Sequence, residues 1–480
     1  MRDKTNLNFK KYNILGVYLM KVNYQLKNGW DIAKEMNEIE NVFKYSDEYM
    51  RFLNNGKTER KCVQEIVKMA EERGYVSLET VICNKTIKPG DKIYSVNRNK
   101  CVALFIIGKK SIESGMKIVG SHIDSPRLDL KPNPLYEDSN LAMLKTHYYG
   151  GIKKYQWVTM PLAMYGVIIL KDGTSVDICI GDEENDPVFC ITDLLPHLSS
   201  EQNSKKMSEG IGGEDLNVLC GSLPDNTEES DKVKYTILKL LNEKYNMVEE
   251  DFISAEIEIV PAGFARDLGI DRSMIISYGH DDRVCSFAAL KAILDIENPE
   301  YTASVICVDK EEIGSEGNTG MKSKFFENVV AELVNLQGEY SELKLKRAFY
   351  NSKVLSADVT AGYDPNFASV YDKNNSCKIG SGVVLMKYTG VRGKNGSSDA
   401  NAEFVAELRN LFNKENIAWQ TAELGKIDQG GGGTIAFILA NYGAQVIDCG
   451  VGVLSMHAPY EVISKIDIFE MYRGYKAFIK

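Results

Sequence analysis

Long apolar runs, an excess of basic residues and closely paired cysteines are all missing from this 480-residue sequence. No stretch approaches the roughly 20 consecutive apolar residues of a membrane helix, so no membrane partner is expected. The net charge of −10 disfavours nucleic acid as a partner, because phosphate binding needs a basic surface. The ten cysteines contain no Cys-x-x-Cys pair, which argues against a zinc ribbon or a dense disulfide framework. We expect a cytoplasmic protein of a reducing compartment.

The apolar stretch from Tyr12 to Met20 follows basic residues, as the apolar part of a signal peptide would. It is short and lacks a cleavage site of small residues, so we expect no export. Met20 is an alternative start of translation. The sequence leaves open whether residues 1–19 belong to the mature chain.

Apolar periodicity predicts the organisation of the chain. Residues 33–73 have the helical spacing of amphipathic helices. Further along, short apolar strands alternate with helical segments, which is typical of a mixed, mostly parallel α/β sheet flanked by helices. Each predicted strand ends in polar residues, and ligand sites of such sheets lie at the carboxyl ends of strands. These strands are MKIVGSH, ASVICVDKEE, SKVLSADVT and AQVIDCG.

Residues 134–254 have a different pattern, with short alternating strands, a polar segment rich in Ser, Gly and Glu, and one amphipathic helix. We interpret this stretch as an inserted β-rich domain. Two domains are then expected, because a chain of this length exceeds one small core. The catalytic domain would comprise residues 1–133 and 255–480.

Histidine is scarce, with five residues in the chain, and two of them stand in polar clusters at predicted strand ends. These are His122 in GSHIDSP and His457 in LSMHAPYE. On an extended segment, the side chains of His122 and Asp124 point the same way, so that the carboxylate can orient a metal-bound imidazole. A surface histidine beside an aspartate is the alternative interpretation of this motif alone.

Candidate carboxylate ligands occur at three further places. Glu311 and Glu312 follow an apolar strand, and adjacent carboxylates repel unless a cation or solvent compensates them. On an extended segment their side chains point apart, so one can bind metal while the other faces bound water, but the residues alone leave open which. Asp281 opens a predicted helix, where an acid can also serve as a cap. Asp358 lies within a predicted apolar strand, where an unpaired carboxylate is costly.

Two imidazoles and three carboxylates suit two zinc ions that share one bridging carboxylate. Such ions lower the pKa of bound water, a nearby carboxylate accepts its proton, and the ions stabilise a tetrahedral oxyanion. Cobalt and manganese accept the same ligand types, so the metal itself is left open. The five candidate ligands are His122, Asp281, Glu312, Asp358 and His457.

At these residues the sequence resembles the aspartyl aminopeptidase family, metallopeptidase family eighteen of the di-zinc aminopeptidase clan. The resemblance covers nearly the whole chain and implies an enzyme that removes the N-terminal residue from short peptides. Six segments carry it, in the family's order and at its spacing: GSHIDSPRLDLKPNP, YYGGIKKYQW, GHDDRVCSFAALKAI, DKEEIGSEGNTGM, LSADVTAG and DCGVGVLSMHAPYE.

The resemblance also implies a role for each site residue. Asp281 matches the bridging ligand, Glu311 the general base, and Asp124 the residue that orients His122. The resemblance, and not the spacing, thereby distinguishes the base from its neighbouring ligand. The positions that match terminal metal ligands are His122, Glu312, Asp358 and His457.

Assembly and substrate choice are expected from the same resemblance. The insert would mediate dimerisation, dimers would form a dodecamer, and a histidine of the insert, here His197, would reach a neighbouring subunit's site. Lys387 in VVLMKYTG is the candidate partner of an acidic N-terminal residue, whereas a shift by one position places Met386 there and favours neutral or apolar residues. Gly432 and Gly433 are predicted to bring backbone N–H groups close to the substrate.

Two other functions remain as alternatives. A di-metal amidohydrolase or deacylase of the same clan, acting on N-acyl amino acids, would share all five ligands. A non-catalytic, metal-containing assembly protein belongs to a different class. Glu311 and Asp124 disfavour that class, because a structural metal site needs neither a base nor its partner.

Overall fold

The computed structural model describes residues 24–183 and 185–480 of the chain. The predicted apolar stretch from Tyr12 to Met20 lies outside these residues. Among the described helices, none has the length and apolar character needed to cross a membrane.

A nine-stranded mixed sheet forms the centre of the fold. Five of its neighbouring strand pairs are parallel and three are antiparallel, so the predicted mixed, mostly parallel α/β fold is confirmed. In spatial order the strands are Val76–Ser77, Lys92–Asn97, Cys101–Ile106, Thr302–Val308, Met116–His122, Lys353–Ser356, Gln445–Gly450, Val383–Met386 and Trp419–Thr421.

Helices cover both faces of this sheet, each over its own apolar core. On the first face, rings of Tyr45, Tyr49 and Phe52 surround Phe287 at centroid distances of 5.3, 5.4 and 5.2 Å. The helices of this face are Gly29–Glu35, Ile39–Asn55, Glu59–Glu71, His280–Leu294, Ala402–Lys414 and Lys465–Ile479. Those of the second face are Leu78–Asn84, Phe325–Gln337, Glu342–Tyr350 and Ala436–Ala440.

The amphipathic helices predicted between residues 33 and 73 are present. In Ile39–Asn55, Val42, Tyr49 and Leu53 recur at helical spacing and are buried. The next helix, Glu59–Glu71, begins where the Thr58 hydroxyl accepts a hydrogen bond from a backbone N–H. Local capping and the apolar stripe therefore explain both elements.

A separate six-stranded sheet is antiparallel throughout. It packs with the helix Lys232–Tyr245 around a core in which Trp157 is fully buried. Position 134 falls within one of its strands and position 254 directly precedes another, so the sheet extends beyond the predicted limits of the insert on both sides. In spatial order the strands are Ser175–Ile180, Leu162–Ile169, Ala255–Pro261, Arg127–Asp138, Leu141–Tyr149 and Val218–Gly221.

Two small sheets and several short helices complete the architecture. A five-stranded sheet contains Arg266–Leu268, Met274–Ser277, Glu461–Ser464, Gly452–Leu454 and Thr360–Ala361. A two-stranded sheet pairs Gly390–Val391 with Gly431–Gly432. The short helices are Ser200–Ser204 and the 3-10 turns Ile112–Ser114, Lys154–Gln156, Pro196–Leu198, Gly213–Asp215, Glu249–Ser254, Glu311–Ile313 and Pro365–Val370.

The carboxyl ends of four parallel strands meet at one edge of the central sheet, because their registers align them side by side. His122 is the last residue of its strand, and the strand that ends at Val308 leads into the two glutamates. The third strand ends at Ser356, two residues before Asp358. The prediction that Asp358 lies inside a strand is therefore wrong, and its carboxylate occupies the loop where the chain leaves the sheet.

Candidate metal centre

All five predicted metal ligands meet at this edge of the sheet. They come from separate parts of the chain, and only the fold makes them neighbours. Ligand atoms of His122, Asp281 and Glu312 lie within 4.8 Å of one another. The other two, Asp358 and His457, lie on the two sides of this group.

Asp281 lies between the two imidazoles. Its Oδ1 is 3.2 Å from Nε2 of His122, and its Oδ2 is 3.3 Å from Nε2 of His457. The residue belongs to the first turn of the helix His280–Leu294 but has non-helical backbone angles, φ −78° and ψ 111°. Ser125 holds this turn, because its hydroxyl donates to the Asp281 carbonyl at 2.7 Å. Each carboxylate oxygen therefore faces a different histidine.

Glu311 and Glu312 begin a 3-10 turn, and the expectation of an extended segment is wrong. The chain folds there because Lys310 and Gly314, with φ of 68° and 95°, adopt left-handed conformations on either side. Oε2 of Glu312 lies 3.5 Å from Nε2 of His457. The Glu311 carboxylate instead approaches the other imidazole, at 3.9 Å.

Two aspartates lie on the other side of His122. Oδ1 of Asp358 is 4.0 Å from its Nε2. Asp282, which sequence reasoning left unassigned, also brings an oxygen within 4.8 Å of these two residues. The backbone N–H of His122 donates to Asp282 Oδ2 at 3.4 Å, so that this carboxyl supports the end of the strand.

Backbone carbonyls determine which nitrogen of each imidazole carries the proton. Nδ1 of His122 donates to the Asp124 carbonyl at 3.0 Å, and Nδ1 of His457 donates to the Gly151 carbonyl at 2.9 Å. A carbonyl can only accept, so the proton of each neutral ring is on Nδ1 and Nε2 is free to bind a metal ion.

Asp124 has more contacts than its spacing from His122 indicates. Its Oδ1 lies 3.3 Å from His122 Nδ1 and accepts the backbone N–H of Glu311 at 3.2 Å. Its Oδ2 accepts the backbone N–H of Glu312, also at 3.2 Å, and the hydroxyl of Tyr149 at 2.8 Å. The carboxylate thus connects one imidazole to the glutamate turn.

Glu461 is a site residue that sequence reasoning missed. It is 1% exposed, and its two oxygens accept the backbone N–H groups of Asp281 at 3.0 Å and His457 at 2.7 Å. Only its position, four residues after His457, could have drawn attention to it. It holds Asp281 and His457 in a common arrangement.

The electrostatics of the cluster fit divalent cations. Burial raises the pKa of Glu312 and of Asp358 well above the usual range, and neighbouring carboxylates add to this shift. Although burial opposes its charge, hydrogen bonds to Asp124 and Asp281 hold the pKa of His122 well above its usual value. Buried oxygens of Asp281 and Glu312 have no hydrogen-bond partner among the described residues. Cations would compensate this negative charge and provide the missing partners.

The family follows from the comparison with known proteins. Residues 52–479 match the family model described as aminopeptidase I zinc metalloprotease (M18). The chain belongs to the M18 family. The predicted resemblance and the predicted enzyme class, a metalloaminopeptidase, are confirmed.

Relatives and solved structures agree with the M18 assignment. A Clostridium acetobutylicum protein named "Probable M18 family aminopeptidase 1" is 57% identical over 457 residues, 95% of this chain and 98% of that protein. The crystal structure of an M18 aminopeptidase from Thermotoga maritima is 46% identical, with a TM-score of 0.91, covering 95% of this chain and 100% of that one. An S. cerevisiae mApe1 dodecamer, 24% identical with a TM-score of 0.73 over 90% and 95% of the chains, shares the fold.

A cavity of about 890 Å³ opens beside the candidate metal ligands of this M18 chain. The predicted substrate-binding residues Gly432 and Gly433 are in its wall. Met386 also lines it, whereas the lining among the described residues does not include Lys387, the next residue in the chain. Cationic side chains in the wall are Lys322, Arg392, Lys394 and Lys426.

Two other histidines lie apart from the candidate metal ligands. His197 is in the exposed turn Pro196–Leu198, and within the described residues no hydrogen bond or ion pair joins it to the cluster. His280 is buried, with Nδ1 2.7 Å from the Tyr49 hydroxyl, and burial lowers its pKa to about 3. His280 therefore has a structural role in the core beside the cluster.

Proposed function

We propose that this M18 chain is a two-metal aminopeptidase that hydrolyses the first peptide bond of short peptides. The observation that carries the proposal is the position of Asp281, whose oxygens face Nε2 of His122 and of His457 at 3.2 and 3.3 Å. A carboxylate with one oxygen toward each of two imidazoles is suited to bridge two cations.

The remaining ligands divide between the two histidines. Asp358 stands beside His122 at 4.0 Å, and Glu312 stands beside His457 at 3.5 Å. Each half of the site therefore offers one imidazole, one terminal carboxylate and one oxygen of Asp281. We propose two divalent ions, zinc by the family and cobalt or manganese as substitutes. When bound, such ions activate water and stabilise developing negative charge on oxygen.

Glu311 is the proposed general base. Its carboxylate faces the cluster from a tight turn, and burial raises its pKa to about 7, while the imidazolium of His122 opposes that shift. A base of this kind takes a proton from the attacking water and returns it to the leaving amine. Asp124 holds the backbone N–H of Glu311, so that it positions this carboxylate as well as His122.

The cavity supports two proposals for the preferred N-terminal residue. Met386 rather than Lys387 lines the wall, which favours a neutral or apolar side chain at that position. Elsewhere in the wall, Arg392 and Lys426 provide positive charge that favours an acidic side chain. A substrate panel that contains both classes separates the two.

The test is hydrolysis of acidic, basic and apolar aminoacyl chromogenic substrates by chelator-treated protein, before and after addition of zinc, cobalt or manganese. We expect cleavage that is restored by metal and requires a free α-amine. Matched N-acetylated substrates are the control. Cleavage of the acetylated series alone would establish the deacylase alternative, and no cleavage with any metal would favour the non-catalytic assembly protein.

We also propose that the chain assembles with itself into a dodecamer built from dimers. One S. cerevisiae relative of the same fold is described as a dodecamer. The segment around His197 exposes several large apolar side chains, as an interface would. These are Val188, Leu194, Leu195, Leu198 and Met207. In a dodecamer, His197 is the proposed residue that reaches a neighbouring site.

Light scattering tests this assembly and should give twelve times the mass of one chain. Leu198→Asp introduces a charge at a side chain that is 68% exposed, and it should lower the measured mass.

We propose a cytoplasmic location, because all ten cysteines are free thiols, as expected in a reducing compartment. Expression of the full chain with a C-terminal fluorescent tag, followed by cell fractionation, tests this. Recovery in the membrane or extracellular fraction would contradict the proposal.

A further inference from the structure

The end of one strand of the six-stranded sheet lies against the metal centre. The strand Leu141–Tyr149 leads into Gly150 and Gly151. Gly150 has φ of 73°, and a Cβ there would stand 3.3 Å from the Cβ of Glu312. The Gly151 carbonyl accepts the hydrogen bond from His457 Nδ1. The backbone of this segment thus packs directly on two metal ligands.

Tyr149 extends these contacts to the other imidazole. Its hydroxyl donates to Oδ2 of Asp124 at 2.8 Å, and both side chains are buried, at 8% and 0% exposure. The same carboxylate accepts the backbone N–H groups of Glu311 and Glu312, and its Oδ1 lies 3.3 Å from Nδ1 of His122. Tyr149 is therefore the side-chain donor that ties Asp124 to a different sheet.

Arg127 fixes the ring of Tyr149 in place. Its guanidinium carbon lies 3.8 Å from the ring centroid, a cation–π arrangement within a buried region. Arg127 is itself held by carboxylates, with Nε 2.8 Å from Asp129 and 3.3 Å from Glu258. With its ring clamped in this way, the hydroxyl of Tyr149 has little freedom to turn away from Asp124.

We propose that Tyr149 is a positioning residue of the metal centre. By holding Asp124, it aligns Nε2 of His122 and the turn that carries Glu311 and Glu312. Partners of metal ligands raise ligand basicity and fix ring orientation, and their loss typically lowers metal affinity about 10-fold to 100-fold. The inference rests on the proposed metal-binding function of these residues, but it concerns metal affinity as well as turnover.

The test is Tyr149→Phe, which retains the ring beneath Arg127 and removes only the hydroxyl. Cobalt and zinc affinity is measured by competition with a chromophoric chelator, and the visible spectrum of the cobalt form reports ligand geometry. We expect about 10-fold weaker metal binding, an altered cobalt spectrum, and a lower kcat at unchanged KM. The matched control is Tyr148→Phe, because Tyr148 is the adjacent residue of the same strand and its side chain is 44% exposed.

A double-mutant cycle identifies the route of the effect. If Tyr149 acts through Asp124, then Asp124→Ala combined with Tyr149→Phe should bind metal no more weakly than Asp124→Ala alone. Unchanged affinity and spectrum in Tyr149→Phe, or additive losses in the double variant, would overturn the proposal. These outcomes are read from metal binding, so that they stay distinct from a failure of the aminopeptidase assay.

Discussion

Glu311 and Glu312 are neighbours in the chain, yet their carboxylates face different imidazoles. The left-handed conformation of Lys310 starts the tight turn that allows this. One carboxylate can then bind a cation while the other stays available for proton transfer. The different roles proposed for these two acids rest on this geometry, because the backbone directs their carboxylates to different partners.

Replacement of Glu311 by Gln tests the proposed base. The amide keeps the size of the side chain but cannot accept a proton, so we expect kcat to fall by about 10² to 10⁴. Metal content and the denaturation midpoint should stay unchanged. Glu316→Gln, at an exposed glutamate of the following loop, is the control. Retention of full turnover by Glu311→Gln would show that another group takes the proton.

Glu461 provides a second test. In Glu461→Gln, one of the two backbone N–H donors would meet an amide NH₂ instead of an oxygen, so the Asp281 and His457 backbones could not both remain in place. We expect metal affinity to fall about 10-fold or more, measured by chelator competition. Glu470→Gln is the matched control, because Glu470 is also buried and accepts the backbone N–H of Ala418, in the core beside the last helix. An equal loss of metal affinity in both variants would show that Glu461 only stabilises the fold in general.

Among the elements, the last helix is joined to a distant loop by its first turn. Asp467 of Lys465–Ile479 accepts the backbone N–H groups of Gly380 and Gly382 at 2.7 and 2.6 Å. The carboxyl is fully buried, and burial raises its pKa to about 7 despite these two donors. The ionisation of Asp467 is thereby coupled to the packing of the helix Lys465–Ile479.

The stability of this contact should depend on pH. Because the pKa of Asp467 is higher in the folded chain than in the unfolded chain, its contribution is complete below about pH 4 and is lost as the pH rises through about 7. Asp467→Asn removes the titration. Relative to this variant, the free energy of unfolding of the wild type should fall by about 1.4 kcal/mol per pH unit within that window. Urea denaturation of both proteins at several pH values measures this difference. If the free energies of unfolding of the wild type and of Asp467→Asn change with pH in parallel, the assignment is contradicted.

At the scale of the whole molecule, the six-stranded sheet contributes to the centre as well as the nine-stranded sheet. Tyr149 and Gly151 bring its contacts to Asp124 and His457. The site is thus built at the meeting of two sheets, each with its own apolar core. Cations bound there would hold several segments of the chain together.

Metal removal should therefore destabilise the whole chain. Without cations, the carboxylates of Asp281, Glu312 and Asp358 repel one another, and ligands that bind only the folded state stabilise it by mass action. At zinc concentrations about 100 times the Kd, the gain is about 2.7 kcal/mol. We expect a lower Tm after chelation and its recovery on addition of zinc, measured by calorimetry. Asp281→Asn, which weakens the proposed bridge, should respond much less. An equal response in this variant would place the stabilising ion elsewhere.

Local patterns were sufficient for much of this protein. Apolar spacing predicted the helices between residues 33 and 73 and the central strands, because burial of one face imposes a period on the sequence. Polar residues placed directly after apolar strands marked His122 and Glu312, since the carboxyl ends of parallel strands share an edge. The six ordered segments carried the family resemblance, which the match over residues 52–479 confirmed.

Long-range contacts decided the rest. No local pattern could place the hydroxyl of Tyr149 on Asp124, or the carboxylate of Glu461 on two backbone segments, because each pair is joined only when separate sheets pack. The same holds for the wall of the cavity, which among the described residues includes Met386 but not Lys387. The sequence by itself determined the elements and the chemical type of the centre, through periodicity and residue type. Only the tertiary structure decided which atoms meet, since contacts between distant residues depend on how the whole chain packs.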